Sequence, residues 1–507
     1  MERVDLNPLR IVHRHVGGLG SSRTTFIGGV RPAKSMITLK FAELFRFEHR
    51  ARIPFRYGIA TMTECPHAIV RLTFDLDGTR QAGLAADHLP PKWFTKDPKR
   101  ALEDEVDEML RVLRAAVTHA GQIEAATPFA FWQDLERVQA EWAARENLPP
   151  LLAHFGTSLV ERALIHAVCR ARRISFSAAL RDGILGIELG ALHPSLAGST
   201  PGDWLPATSP GEVFARHTVG LADPIIAADV GPDERPDDGL PHTLEECIRF
   251  YGLRHFKIKI NGEAARDAAR LERMEAVLSR ESRDDYAFSL DGNESFRDVA
   301  SFADYFRGLQ AAPKLASLWR HLLYIEQPWH RDVALSDAIG ALANSWPERP
   351  PIIIDESDAE VGSLPAALAL GYAGTSHKNC KGVFKGAGNA CLLAQRREAG
   401  QPAVLSGEDL ANAGPVGLIQ DLAAQAAFGV TSIERNGHHY FAGLSQFPPA
   451  LQRHALAHHP DLFISSTQGW PRLDIRGGRI RIGSVNAAPF GVPGAVDLSE
   501  LNGEELQ

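Results

Sequence analysis

Cysteine is scarce in this chain, and the scarcity narrows its class. Five cysteines, Cys65, Cys169, Cys247, Cys380 and Cys391, are spread through 507 residues. None falls in the close spacing of a zinc or redox motif, and such sparse use suits a reducing compartment. Long apolar runs are missing too, so no membrane span is expected. The opening MERVDLNPLRIVHRHVGG lacks the apolar core of a signal peptide, so a cytoplasmic location is expected. There is no dense Lys/Arg tract, and the formal net charge is -8, which gives no general attraction to nucleic acid. The stretch KGVFKGAGNA has the glycines of a phosphate loop without its Gly-Lys-Ser/Thr ending, so nucleotide binding is not expected. What is present, 44% hydrophobic residues over this length, suits a globular chain of more than one domain.

From about residue 210 to 445, short apolar runs alternate with helical stretches. The runs are FARHTVG, HFKIKI, YAFSLDG, LLYIEQP, PIIIDES, GTSHKN, AVLSGED and SIERNG. Eight such units predict an α/β fold with a closed (β/α) barrel. Upstream, FRFEHRARIPFR and HAIVRLTFDLDGTRQAGLAA read as antiparallel strands, the second with a hairpin turn at Asp77-Gly78, and helical stretches follow. The expected division is an extension over 1–34, an α+β domain over 35–208, the barrel over 209–450, and a segment over 451–507 that returns to the N-terminal domain. A hairpin around Gly477-Gly478 in that segment is expected to pack there as well.

The acids fall at strand ends. FSLDGNE closes with Asp291 and Asn293, LLYIEQP with Glu326, and IIIDES with Asp355 and Glu356. Residues at the C-terminal ends of barrel strands converge on one mouth. Asp291 could instead be a turn residue, and Asp355 could cap a helix. Together, however, three buried carboxylates would repel one another unless a hard cation such as Mg²⁺ joined them, with Mn²⁺ as the alternative ion. Lysines complete the set. Strand alternation puts Lys257 and Lys259 on one side of HFKIKI, and Lys378 closes the sixth run on the opposite wall. A buried lysine beside other cations has its pKa lowered and can serve as a general base. Lys381 and Lys385 compete with Lys378 for that place. His438 and His439, read as strand neighbours, would point opposite ways, so at most one is expected at the site.

KIK, DGN, IEQP, DES and a lysine ending the sixth strand, taken as a set, resemble the enolase superfamily, in particular the mandelate racemase and muconate lactonizing enzyme family and its muconate lactonizing subgroup. IPFRYGIATMT followed by VRLTFDLDG resembles that family's capping domain, and RIGSVNAAPFGVPGAVDL is similar to its returning tail. The resemblance implies a TIM-like barrel with a capping domain completed by the C-terminal tail. It implies Asp291, Glu326 and Asp355 as Mg²⁺ ligands, supported by Asn293 and Glu356. Lys259 would be the base on one face, Lys378 the acid or base on the other, and Lys257 would tune Lys259 and touch the substrate carboxylate. The implied reaction removes a proton α to a carboxylate through an enediolate, the chemistry for which such sites are a standing example of a lysine or histidine base with Mg²⁺. Racemisation, epimerisation, cycloisomerisation and syn elimination all remain open. Tyr57 and Met62 on the capping loop would contact substrate. Glu434 would position it, or else pair with Arg435. The alternatives are an acid-sugar dehydratase of the mandelate racemase type, against which the seventh run offers Glu408 and Asp409 but no histidine, and a metal-binding barrel without turnover. The expected partner is a small carboxylate, and a homo-oligomer is expected.

Overall fold

A strand buried on both faces needs apolar side chains outward and a reason for anything polar inward. His255–Lys259 has both: Phe256 and Ile258 are buried, and Lys257 and Lys259 are buried as well. The computed structural model describes residues 36–282 and 285–506. The expected extension, 1–34, lies outside them.

Eight parallel strands form the barrel: Glu212–Val219, His255–Lys259, Ala287–Asp291, Leu322–Glu326, Ile352–Ile354, Gly374–His377, Val404–Gly407 and Ser432–Arg435. They bond to one another in chain order, and the eighth pairs with the first to close the ring. These are the eight runs read from the sequence. Register then sets the rim. Lys259 lies opposite Asp291, and Asp291 opposite Glu326, so strands two, three and four deliver one row of charge to the same layer.

The N-terminal domain comprises β1 (Ile37–Phe47), β2 (Arg50–Tyr57), β3 (Ala60–Glu64), β4 (His67–Leu76) and β5 (Thr79–His88). Its helices are α1 (Leu102–Ala120), α2 (Pro128–Arg145) and α3 (Pro150–Arg172). β1, β4 and β5 make an antiparallel sheet, and β2 and β3 a separate hairpin. Asp77 and Gly78 both take positive φ, as a tight hairpin turn requires. The strand Gly503–Glu505 pairs with β1, so the tail does return to this sheet. The hairpin at Gly477-Gly478 does not. Its strand Arg479–Arg481 pairs antiparallel with the first barrel strand, whose outer edge residues Glu212–Phe214 extend past the ring and leave backbone groups to satisfy.

Among the contacts that join the domain to the barrel, two buried clusters stand out. On one side, Asp87 accepts from Arg162 at 2.8 Å and from the Asn412 amide at 2.9 Å, both buried. Asn412 also donates to Asp421 at 2.8 Å. On the other side, His49, His67 and His88 pack with Phe441 and Phe447 in a buried aromatic cluster. Among the described residues no helix is long and apolar enough to cross a membrane.

Two stability predictions follow from this packing. A Cβ on Gly83 would lie 1.8 Å from the Ala163 carbonyl oxygen of α3. Because both partners are backbone, Gly83→Ala is expected to cost about 1–3 kcal/mol in urea unfolding. Burial, and secondarily His88, holds the His49 pKa down to about 2, against 6.5 unfolded. The unfolded chain therefore takes up a proton that the folded one does not, and this contribution is lost as pH falls below about 6.5. Between pH 7 and 5 it amounts to about 2 kcal/mol. His49→Phe, which can keep the stack on Phe441, should flatten the pH dependence of unfolding by that amount.

Candidate active site

Strand ends bring acids and lysines into one low-dielectric mouth, where each charge needs a partner. Lys257 Nζ lies 3.0 Å from Asp291 Oδ2, 2.8 Å from Glu326 Oε1, 2.8 Å from Glu408 Oε2 and 3.1 Å from Glu434 Oε2. Lys259 Nζ lies 2.5 Å from Asp291 Oδ2. Across the barrel, Lys378 Nζ lies 2.6 Å from Asp355 Oδ1 and 2.8 Å from Glu408 Oε2. Glu408 thus links the two walls, and Arg216 approaches it from below at 3.2 Å.

At Lys257 and Lys378 the electrostatics run opposite to the lowering expected of a buried lysine. Burial does pull Lys257 down, but Asp291, Glu326, Glu408 and Glu434 outweigh it and raise its pKa well above the usual value. Burial is likewise outweighed at Lys378, chiefly by Asp355 and Glu408. The acids divide. Burial and the charge of Glu408 push Glu326 well above the usual carboxylate range. Glu408, despite burial, is held well below it by Lys257, Lys378 and Arg216.

Neighbouring groups fix the carboxylates. The Asn293 backbone N–H donates to Asp291 Oδ1 at 2.8 Å, and its own side-chain oxygen is buried without a partner. Gln327 accepts from the Asp355 backbone N–H at 2.7 Å and donates to Ser357 at 2.7 Å and to the Trp329 carbonyl at 2.8 Å. Lys381 reaches Asp355 Oδ1 at 3.2 Å and the Ser376 carbonyl at 2.6 Å, and Lys385 lies 3.1 Å from Asp358. These two lysines, the competitors of Lys378, pack beside the Asp355 turn. Glu356 has neither carboxylate oxygen hydrogen-bonded; its nearest cation is Lys96 at 3.9 Å. Burial first, then Asp355, pushes its pKa up to about 7.

The residues present fit a hard divalent cation. Glu326, Asp355 and Glu408 offer oxygens that all lie within 4.8 Å of one another. Glu326 Oε2 is buried without a hydrogen-bond partner. An all-oxygen, multiply anionic donor set is the kind that Mg²⁺ or Mn²⁺ takes. The converging trio differs from the expected one. Glu408 joins Glu326 and Asp355 in it; Asp291, like those three, is in contact with lysine, here Lys257 and Lys259.

Above this floor is a small cavity of about 50 Å³. Lys257, Lys259, Asn293, Asp355, Lys378 and Glu434 line it from the barrel, and Phe55, Tyr57, Met62 and Trp93 line it from the N-terminal domain. Lys259 and Lys378 come from strands two and six, half a ring apart. Tyr57 donates its hydroxyl to the Pro91 carbonyl at 2.8 Å. Trp93 lays its ring 5.2 Å from Lys378 Nζ. The Trp93 loop is pinned by Arg331, which donates to the carbonyls of Phe94 at 2.7 Å and Trp93 at 3.0 Å. Glu434 accepts from Thr218 at 2.5 Å in addition to facing Lys257. Arg435 pairs instead with Asp409, at 2.8 Å. His438 and His439 lie in a helical turn, Gly437–Tyr440, rather than on a strand, and both are buried outside this cavity.

No protein-family profile matches the chain, and no curated protein matches it in sequence. Solved structures do match. A dipeptide epimerase from Enterococcus faecalis, complexed with Mg and the dipeptide L-Leu-L-Tyr, superposes with a TM-score of 0.58 at 15% identity, covering 90% of this chain and 100% of its own. A muconate lactonizing enzyme from Pseudomonas fluorescens, complexed with muconolactone, gives 0.55 at 17% identity, covering 91% and 97%. A mandelate racemase/muconate lactonizing protein from Herpetosiphon aurantiacus gives 0.55 at 16%, covering 91% and 99%. The fold is that of the enolase superfamily.

Within this enolase-superfamily fold, sequence reasoning passed over three residues that shape the site. Glu408 ends the seventh strand run and obeys the same strand-end rule as the other acids. Gln327 stands inside the IEQP motif, and its φ of 35° marks a tight turn held by its own amide. Trp93 follows a strand of the other domain, and no periodicity points to it.

A divalent cation at about a hundred times its dissociation constant should stabilise the fold by about 2.7 kcal/mol. Thermal unfolding with and without Mg²⁺ measures this, and Glu326→Gln should abolish the difference.

Proposed function

We propose that the chain is an enzyme that moves a proton α to the carboxylate of a small-molecule substrate, as a racemase or epimerase, a cycloisomerase, or a syn-dehydratase. The observation that carries this reading is the pair Lys259 and Lys378, which enter one cavity from opposite barrel walls with the carboxylate cluster between them. Asp291, Glu326 and Asp355, with Glu408 beside them, would hold Mg²⁺ or Mn²⁺. When bound, that ion supplies positive charge for the substrate carboxylate and counter-charge for the acids.

The chain's own residues account for the remaining steps. Lys259 Nζ removes the α-proton from one face, leaving an enediolate whose added charge faces the ammonium of Lys257. Lys378 Nζ stands on the other face and returns a proton there in a racemase or epimerase. In elimination or cycloisomerisation the same lysines would serve on the face that the leaving or attacking group dictates. Trp93 and the β2–β3 hairpin cover the mouth, which keeps bulk water from the reacting carbon. Asn293 and Glu356 would steady the acids, while Tyr57, Met62 and Glu434 would contact substrate.

The lining bears on the choice of substrate. Phe55, Tyr57, Met62, Trp93 and Leu410 are a largely apolar roof. A polyhydroxylated acid would find few hydrogen-bond partners there, which argues against the acid-sugar dehydratase. The published ligands of the similar structures, a dipeptide and muconolactone, are compatible with such a roof.

The test is incubation with Mg²⁺ in D₂O with pooled carboxylic acids, including dipeptides, N-acyl amino acids, hydroxy acids, sugar acids and lactone precursors, read by mass spectrometry. Deuterium uptake is expected for an acid with an apolar α-substituent. Lys259→Ala should reduce exchange from one enantiomer by about 10²–10⁴-fold, and Lys378→Ala exchange from the other. Exchange indifferent to both variants would sink the assignment.

A further inference from the structure

A second cluster of ligating side chains lies outside the catalytic mouth. His217 sits on the first barrel strand, Cys247 in the helix Leu244–Tyr251, and His439 in the turn that follows the eighth strand. Their ligating atoms all lie within 4.8 Å of one another, and all three side chains are buried. We propose that these three residues bind a borderline-soft divalent metal ion of the Zn²⁺ class, in a three-ligand site separate from the carboxylate centre.

The sulfur–nitrogen distance fits that ion. A metal with sulfur at about 2.3 Å and nitrogen at about 2.0 Å, in tetrahedral geometry, places those two ligand atoms about 3.5 Å apart. Cys247 Sγ and His439 Nδ1 are 3.6 Å apart. The surroundings fit as well. Metal-binding histidines commonly have their rings oriented by a hydrogen-bonding group or carboxylate on the far side. His438 Nε2 lies 3.1 Å from His217 Nδ1. Asp223 Oδ2 lies 3.8 Å from His439 Nε2, held there by the Tyr440 hydroxyl at 2.6 Å and the Gly220 N–H at 2.7 Å.

Donor chemistry separates the two sites. One thiolate and two imidazoles suit zinc, and the carboxylates of the mouth suit Mg²⁺. Charge is also accommodated: the ion's two positive charges meet the Cys247 thiolate and the nearby Asp223 carboxylate. On binding, the thiol proton leaves to solvent, and water takes the fourth position of a tetrahedral ion. Of the nearby cations, Arg52 is already paired with Asp238, and Arg270 donates to the Gly220 and Asp223 carbonyls.

Position gives the site its consequence. It spans the seam where strand eight meets strand one and fastens the first barrel helix to both. The same turn carries Tyr440, which stacks on Phe55 of the cavity roof with ring centroids 4.0 Å apart. A metal here would brace that wall of the cavity without touching substrate.

The experiment uses the full chain, stripped with a chelator and then dialysed against Zn²⁺ with Mg²⁺ in excess. Elemental analysis should find one equivalent of zinc that magnesium does not displace. Cobalt substitution should give the thiolate-to-cobalt charge-transfer absorption. Both signals should be lost in Cys247→Ser and His439→Gln and persist in Cys391→Ser, a buried cysteine elsewhere. Folded protein that takes up no zinc, cobalt without the charge-transfer band, or a band that survives Cys247→Ser would each overturn the proposal. The cobalt spectrum of the unaltered chain decides the matter even if a variant fails to fold.

Discussion

Charge balance in the barrel mouth is the constraint on which the remaining architecture depends. Asp291, Glu326, Glu408 and Glu434 all contact Lys257, Asp355 contacts Lys378, and all five acids are buried from water. Left alone, so many buried carboxylates would cost several kcal/mol each to desolvate. Lys257, Lys259, Lys378 and Arg216 offset that cost by direct contact. The balance is unequal. Glu326 keeps one oxygen with no partner, and Glu356 keeps two. An arrangement complete in hydrogen bonds would have no use for a metal, whereas this one leaves oxygen lone pairs open where the acids converge.

Holding such a cluster in place requires walls that do not yield, and both domains contribute. The barrel register lines up Lys259, Asp291 and Glu326, and the Gln327 and Lys381 contacts set the Asp355 turn. The N-terminal domain closes the space from above through Trp93 and the β2–β3 hairpin. Its own position is set by Asp87, Arg162 and Asn412 on one side and by the histidine–phenylalanine cluster on the other. Buried charge pairs and aromatic stacks of this sort lose heavily when one member is removed. Small changes at the joint are therefore felt at the roof of the cavity.

Much of this was legible in the residues. Alternation in HFKIKI fixed the inward face of Lys257 and Lys259, and apolar runs ending in acids located the strand ends. Those signals are local, spanning a handful of positions. Signals that arise only on folding were not legible. Glu408 was visible as a strand-end acid, but its bridging of Lys257 and Lys378 depends on the ring closing. The Lys257 pKa moved opposite to that of an isolated buried lysine because proximity to four carboxylates, a tertiary fact, outweighs burial. His438 and His439 were read as strand residues, although the Asn436-Gly437 pair before them is a turn signal and the strand ends at Arg435. The cluster of His217, Cys247 and His439 joins three segments whose spacing in sequence matches no motif. The placement of the Gly477-Gly478 hairpin likewise rests on an overhanging barrel strand that the sequence does not mark.

The pairing of Gly503–Glu505 with β1 makes the entire barrel an insertion between neighbouring strands of one sheet. Closing such a loop costs entropy that grows only logarithmically with its length, about 0.6 kcal/mol for each doubling. Lengthening a barrel connection, such as the Val299–Ala311 helix and the short turns after it, therefore scarcely taxes the sheet that ties the chain together. The scaffold is permissive in contour length and strict in rim chemistry, so diversification can proceed by extending loops while the charged floor stays as it is.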